Sequence, residues 1–206
     1  MKFNKQLLYS ALISLLLISC SDDPVAPPAK TAAQFTADGW KKFEAGEYQD
    51  AISDFNDAVN LDVNANEARS GQGWCYMMLD NFNTAIASLN LIPINAERTD
   101  SEAALAFMHN ANADYQLSLD ATDFILTEDP DWQFAHNNAI DIDDIYLLRA
   151  HNFISLGEFA NALTAFENLD AEFSADVTTE NGRNQLLAAI EALNPGISEL
   201  QSKLKH

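Results

Sequence analysis

The sequence predicts an all-α solenoid in which antiparallel helix hairpins stack side by side. The first observation is a repeat, since the pair Gly39-Trp40 recurs as Gly73-Trp74 after 34 residues. The second is that no alternating β-pattern of useful length is present. A period near 34 with glycine, aromatic and alanine residues at fixed phases is typical of stacked helix-turn-helix units.

The first two repeats, residues 31–64 and 65–91, match at further positions with the same offset. Tyr48 recurs as Phe82, and Phe55 recurs as Leu89. Ala51 and Ala85 are the small residues at which the two helices of a hairpin touch, and Gly39 and Gly73 allow close approach from the other side. The predicted helices span 32–45, 49–61, 66–79 and 83–90, and Gly46 ends the first of them.

The later repeats are less regular. Residues 101–113, with Ser101 as N-cap, and residues 115–126 form a third, degenerate hairpin that lacks the glycine and alanine phases. A fourth repeat spans 143–169, where Leu156-Gly157-Glu158-Phe159 matches the earlier turn Ala45-Gly46-Glu47-Tyr48. A helix at 179–193 and a short last helix after Pro195 are expected to cap the array.

These repeated residues resemble the tetratricopeptide repeat (TPR) family, and the resemblance covers most of residues 31–206. It implies a TPR-like α-solenoid that binds proteins or peptides and rarely does chemistry. It also implies that the residue after the repeat glycine faces a concave groove. Trp40 and Trp74, with Phe43 and Met77 one turn further along, are therefore expected to form an apolar floor for a peptide ligand. The alternative is that both tryptophans pack against the adjoining hairpin as core residues.

The N-terminus has the features of a lipoprotein signal. Lys2 and Lys5 precede the apolar stretch 7–18, which is too short to span a membrane. Its ending, Leu17-Ile18-Ser19-Cys20, resembles the bacterial lipobox, which implies removal of residues 1–19 and diacylation of Cys20. Residues 20–30 then form a proline-rich tether, and 31–206 form the helical domain. The alternative is an ordinary signal peptide with Cys20 present by chance.

The residues after Cys20 bear on location. The run Cys20-Ser21-Asp22-Asp23 resembles the export signal of Bacteroidetes surface lipoproteins. It predicts a bacterial outer-membrane lipoprotein, with the cell surface favoured over the periplasmic face. The alternative is that the acidic run is only a solvated tether.

The charge balance excludes some partners. The chain of 206 residues has 31 acidic and 11 basic residues, a net charge of −20, which becomes −22 when Lys2 and Lys5 are removed with the signal. Such a chain repels phosphate backbones and anionic lipid headgroups, so we expect no nucleic-acid binding. Membrane contact is expected to come from the lipid on Cys20.

Few residues suggest chemistry. We expect no catalytic residues, cofactor or metal, because no phosphate-binding loop, nucleophile elbow or HExxH motif is present. Cys75 lacks a CxxC or Cys/His setting and is predicted to be a small core residue. His136 with Asp141, Asp143 and Asp144 is the one His-carboxylate cluster. The simpler account of it is that Asp141 and Asp143 cap the following helix.

Two functions are consistent with these features. The first is a non-enzymatic, lipid-anchored scaffold or adaptor that binds a protein or peptide partner in the bacterial cell envelope. The alternative is a carbohydrate-binding or nutrient-uptake accessory lipoprotein, because larger starch-utilisation lipoproteins of Bacteroidetes also combine a lipid anchor with TPR helices. This chain is shorter than those proteins, which places the alternative second.

Overall fold

The computed structural model describes residues 29–94 and 98–193. Within these ranges the chain is helical apart from turns, connections and one isolated β-bridge between Gln133 and Asp141. The helices are α1 (Ala32–Glu44), α2 (Tyr48–Leu61), α3 (Asn66–Met78), α4 (Phe82–Leu89), α5 (Thr99–Ala111), α6 (Tyr115–Glu128), α7 (Ile142–Ser155), α8 (Phe159–Glu167) and α9 (Glu180–Leu193).

The first eight of these helices form four antiparallel hairpins. The first helix of each hairpin also packs on the first helix of the next, so that α1, α3, α5 and α7 line one common face, called the inner face here. Helix α9 packs on α7 and α8 and covers the end of the array. The predicted all-α solenoid is confirmed. The predicted last helix after Pro195 lies outside the described residues.

Close packing between hairpins depends on glycine. Phe55 of α2 lies between Gly39 of its own hairpin and Gly71 of the next. A Cβ atom at Gly39 would lie 2.6 Å from the Phe55 ring, and one at Gly71 would lie 2.2 Å from it. Gly73 has the same relation to Leu89, at 2.3 Å. These distances are too short for any side chain, so the predicted role of the repeat glycines is confirmed.

The four hairpin turns share one backbone geometry. Each contains a residue in the left-handed region: Gly46 (φ 77°), Asp80 (φ 58°), Ala113 (φ 61°) and Gly157 (φ 78°). In each turn the residue that follows the left-handed one donates its N–H to the carbonyl five positions before it. Glu47 thus donates to Lys42, and Asp114 donates to His109. This is a Schellman-type helix end. The third hairpin is therefore a true repeat, although alanine stands where glycine is favoured.

The spacing of these turns reveals an insertion. Gly46 and Asp80 are 34 residues apart, and Asp80 and Ala113 are 33 apart, but Ala113 and Gly157 are 44 apart. The additional residues lie in the connection between α6 and α7. We call this connection, residues 129–141, the strap.

One predicted helix start is wrong. Helix α5 begins at Thr99, and Ser101 lies inside its first turn with 1% of its surface exposed. Arg98, at the N-cap position, forms a buried ion pair with Glu102 one turn ahead. A pair at this spacing supports an earlier start than the serine signal indicated. The other predicted helix boundaries lie within three residues of those observed.

The third and fourth hairpins meet through a buried polar network. Asn152 of α7 donates to the Ser118 hydroxyl at 2.8 Å and accepts from the Asn110 amide at 2.7 Å. Ser118 in turn donates to the Ala106 carbonyl at 2.7 Å. Because the polar groups of this network form hydrogen bonds with one another or with the backbone, the network can lie in the core without a large desolvation cost.

No helix in the described ranges is both long enough and apolar enough to cross a bilayer. The predicted signal peptide, the lipidation site Cys20 and nearly all of the tether lie outside those ranges.

Candidate functional site

The four predicted floor residues lie on the first helices of the first two hairpins. Trp40 and Phe43 are one turn apart on α1, and Trp74 and Met77 are one turn apart on α3. Their exposed fractions are 4%, 6%, 0% and 0%, respectively. All four side chains are therefore buried in this structure, and their role as a floor for a ligand stays a prediction.

The strap covers this floor. Its residues alternate in burial, with Trp132 and Phe134 buried and Gln133 and Ala135 exposed. The Phe134 ring stacks on Trp74, with centroids 4.0 Å apart and planes inclined by 16°. It also meets Trp40 at 6.0 Å and Phe43 at 5.8 Å in edge-to-face geometry.

Three predicted floor residues therefore converge on a single phenylalanine of the same chain. Met77 belongs to the same hydrophobic core.

The strap is held by its own backbone hydrogen bonds. The Phe134 N–H donates to the Ile140 carbonyl at 3.0 Å, and the Asn137 N–H donates to the Phe134 carbonyl at 3.1 Å. The bridge between Gln133 and Asp141 closes the same loop. The strap thus enters the inner face, turns, and returns to the start of α7.

Asp100 anchors the strap at the Trp74 side. Its backbone carbonyl accepts from the Trp74 indole N–H at 3.0 Å, and its Oδ1 accepts from the Trp132 indole N–H at 2.7 Å. Burial raises the pKa of the Asp100 carboxyl, and the hydrogen bond from Trp132 opposes that rise. One aspartate therefore joins α3, α5 and the strap.

The contacts at the Trp40 side are different. The His136 ring stacks on the Trp40 ring with centroids 3.7 Å apart and planes inclined by 6°. His136 Nδ1 lies 2.9 Å from the Glu44 carboxylate. The Trp40 indole N–H is buried and has no hydrogen-bond partner among the described residues. A buried donor left unpaired costs about 1–3 kcal/mol.

Two cavities flank His136. One, of about 480 Å³, is lined by Trp40, Ser70, Asp100 and neighbouring residues. The other, of about 450 Å³, is lined by residues that include Phe43 and Glu44. The inner face is therefore filled around Phe134 and incompletely filled around His136.

The His-carboxylate cluster is divided between two tasks. The Asp141 carboxylate accepts from the Asp143 N–H at 3.0 Å, and the Asp144 carboxylate accepts from the Asp141 N–H at 3.0 Å. The predicted capping by Asp141 is confirmed, but Asp144 supplies the second carboxylate in place of Asp143. Burial raises the pKa of Asp144. His136 faces Glu44 instead, and the described residues contain no converging group of three metal-ligand side chains.

Cys75 lies in the core with no exposed surface, as predicted. Burial raises the pKa of its thiol to about 12. At neutral pH the thiol is therefore protonated, and it is unsuited to nucleophilic chemistry.

The occupant of the inner face was missed by the sequence reasoning. Two signals point to it: the alternation of Trp132, Phe134 and His136, and the longer interval between the third and fourth turns. The alternation can be read from the sequence directly, and the longer interval follows from the third turn at Ala113, where no glycine marks it.

Comparison with known proteins supports the architecture. No family model matches the chain, and no curated protein matches it. Among solved structures, a tetratricopeptide repeat protein from Parabacteroides merdae superimposes with a TM-score of 0.52. The match has 17% sequence identity and covers 86% of this chain and 72% of that chain. At this sequence identity the match shows only the fold, which is a TPR-like α-solenoid.

Proposed function

We propose that the protein is a lipid-anchored scaffold of the bacterial cell envelope that binds a protein partner through its inner face. The observation that carries this proposal is the strap, because the inner face already holds extended polypeptide by ring stacking and indole hydrogen bonds. A surface that accommodates one extended segment has the chemistry to accept another. The TPR-like fold supports the same proposal.

The test for a partner should leave the core intact. Replacing Trp40 and Trp74 with alanine is unsuitable, because each substitution removes a buried indole at a cost of about 3–5 kcal/mol. A photo-crosslinking amino acid at Glu67, which is exposed on α3 and lines the cavity beside Trp40, reports on the inner face whether or not the strap is in place. The matched control places the same amino acid at Asp57, which is exposed on α2.

We expect a defined protein from envelope fractions to crosslink to the chain labelled at Glu67 and not to the chain labelled at Asp57. Crosslinking at Asp57 alone, or equal crosslinking at both positions, would argue against the inner face as the binding surface.

The anchor is proposed from the lipobox and from the charge. A net charge of −20 disfavours binding to anionic headgroups, so a lipid on Cys20 would supply membrane contact. The proposed location is the outer membrane, with the cell surface favoured by the acidic run after Cys20.

Metabolic labelling with palmitate should mark the native chain and not the Cys20→Ala variant. Protease treatment of intact cells then separates the two faces, since only a surface protein is degraded. Equal labelling of both chains would refute the anchor.

The carbohydrate-binding alternative receives less support. Sugar rings stack on exposed aromatic faces, whereas the Trp40 ring is stacked by His136 and the Trp74 ring by Phe134. Binding of a glycan on an array, with loss of binding after a substitution at Trp40, would revive this alternative.

A further inference from the structure

We infer that the strap is an exchangeable occupant of the inner face, and that the partner replaces it with an extended segment carrying aromatic side chains at alternate positions. This inference rests on the proposed function and specifies the partner's chemistry and the state in which the site is free.

The repeat array is held together without the strap. The first two hairpins pack through Phe55 between Gly39 and Gly71, and the turn geometry repeats in all four hairpins. The strap is the part of the chain that exceeds the repeat length. Helices of successive hairpins contact one another directly, so exchange of the strap would not by itself remove these helix–helix contacts.

The strap also displays the pattern that the floor accepts. Trp132, Phe134 and His136 alternate with the exposed residues Gln133 and Ala135. In extended backbone, alternate side chains point to the same side, which places Trp132 and Phe134 together. Ala135 and His136 lie in the turn closed by the Asn137 N–H and the Phe134 carbonyl, and this turn brings the His136 ring onto Trp40.

The floor in turn restricts its occupant. Trp40, Phe43 and Trp74 would be exposed without the strap, and the Trp74 ring is covered by face-to-face stacking. A polar segment would leave these rings in contact with water. A replacing segment therefore needs rings at alternate positions, followed by a histidine or basic residue opposite Glu44.

The exchange should begin at His136. Its side chain is 20% exposed, and cavities lie on both sides of it. Within the described part of the chain the Trp40 indole N–H has no hydrogen-bond partner, whereas an incoming backbone carbonyl could accept from it. A partner can therefore form a hydrogen bond with the Trp40 indole N–H that the strap does not form.

The experiment uses a fluorescent peptide with the sequence of residues 130–141 as the probe and the full chain as the receptor. The receptors are the native chain, the Phe134→Ala variant with a loosened strap, and Gln133→Ala as the matched control at an exposed position. The control peptide carries alanine at the positions of Trp132 and Phe134. Fluorescence anisotropy gives the dissociation constants.

We expect the probe to bind the Phe134→Ala chain at least about tenfold more tightly than the native chain, because the native site must first lose its own strap. Gln133→Ala should behave as the native chain does, and the control peptide should not bind. Circular dichroism checks that each receptor retains its helices. If Phe134→Ala does not fold, His136→Ala takes its place, with a smaller gain expected.

Equal binding to native and loosened chains, or equal binding of probe and control peptide, would overturn the inference. So would dimers of the native chain formed by strap exchange, because the occupant would then be a second copy. A partner that crosslinks at Glu67 and is not displaced by the probe would leave the proposed function standing and remove this inference alone.

Discussion

Trp40 and Trp74 follow the glycine at the same phase of two successive repeats, and their indole groups have different surroundings. The Trp74 N–H donates to the Asp100 carbonyl at 3.0 Å, and its ring stacks on Phe134. The Trp40 ring stacks on His136, and its N–H has no partner among the described residues.

The difference arises from what lies beyond each repeat. The third hairpin follows Trp74, and the first helical turn of α5 supplies Asp100 as its hydrogen-bond acceptor. Trp40 is covered instead by His136 of the strap. Equivalent positions in a repeat therefore share a helix face but not an environment. The Trp40 side of the inner face has fewer of its hydrogen bonds satisfied, and we expect the strap to separate from the helices there first.

The largest effect is expected from Phe134→Ala, which removes the ring shared by both tryptophans. The loss should lower the free energy of unfolding by about 3–5 kcal/mol, as for other buried phenylalanines. Urea denaturation followed by circular dichroism measures it. Gln133→Ala, its exposed neighbour, should change stability by less than about 0.5 kcal/mol. Similar losses in the two variants would show that the strap does not rest on the floor.

The next largest effect is the difference in stability between the Trp74→Phe and Trp40→Phe variants. Both substitutions remove similar volume, but only Trp74→Phe removes a hydrogen bond that the structure contains. We expect Trp74→Phe to cost about 1 kcal/mol more than Trp40→Phe. Equal losses in denaturant midpoints would mean that the two indole groups are equally satisfied in solution.

Asp100→Asn tests the anchor at the Trp74 side through pH. Burial raises the pKa of Asp100, so the folded state holds this proton more strongly, and stability is lost as pH rises through the raised pKa. Asparagine cannot ionise, and its side-chain oxygen can still accept from Trp132. The variant should therefore be the more stable chain at pH 7.

This advantage of Asp100→Asn should shrink toward pH 3, where the native carboxyl is protonated in both states. Thermal unfolding of the two chains at both pH values measures the difference. An advantage that does not change with pH would contradict the assignment.

The smallest effect on global stability is expected from His136→Ala, because this side chain is partly exposed and its contact with the Glu44 carboxylate lies at the surface. We expect a loss of about 1 kcal/mol or less. Hydrogen exchange should nevertheless quicken at the Phe134 and Ile140 amides and remain unchanged in α1. Equal quickening in α1 would indicate that the strap and the helices open together.

The sequence alone determined the helices, the hairpin phases and the close helix approach that Gly39 and Gly73 allow. These features are local or periodic, since glycine, alanine and aromatic residues at a fixed offset specify which helix faces meet. The resemblance to the TPR family, and not the period itself, implied that Trp40, Phe43 and Trp74 face the groove. It could not say whether that face is open.

The tertiary structure decided what covers the face. The contact between His136 and Glu44 joins residues 92 positions apart, and no repeat or helical period relates them. The turn at Ala113 has the geometry of the turns at Gly46 and Gly157 without their glycine, and the same hydrogen bond to the carbonyl five residues earlier closes it. The strap is a short segment between helices, and its alternating rings acquire a partner only when the hairpins stack and bring the tryptophans of α1 and α3 beneath it.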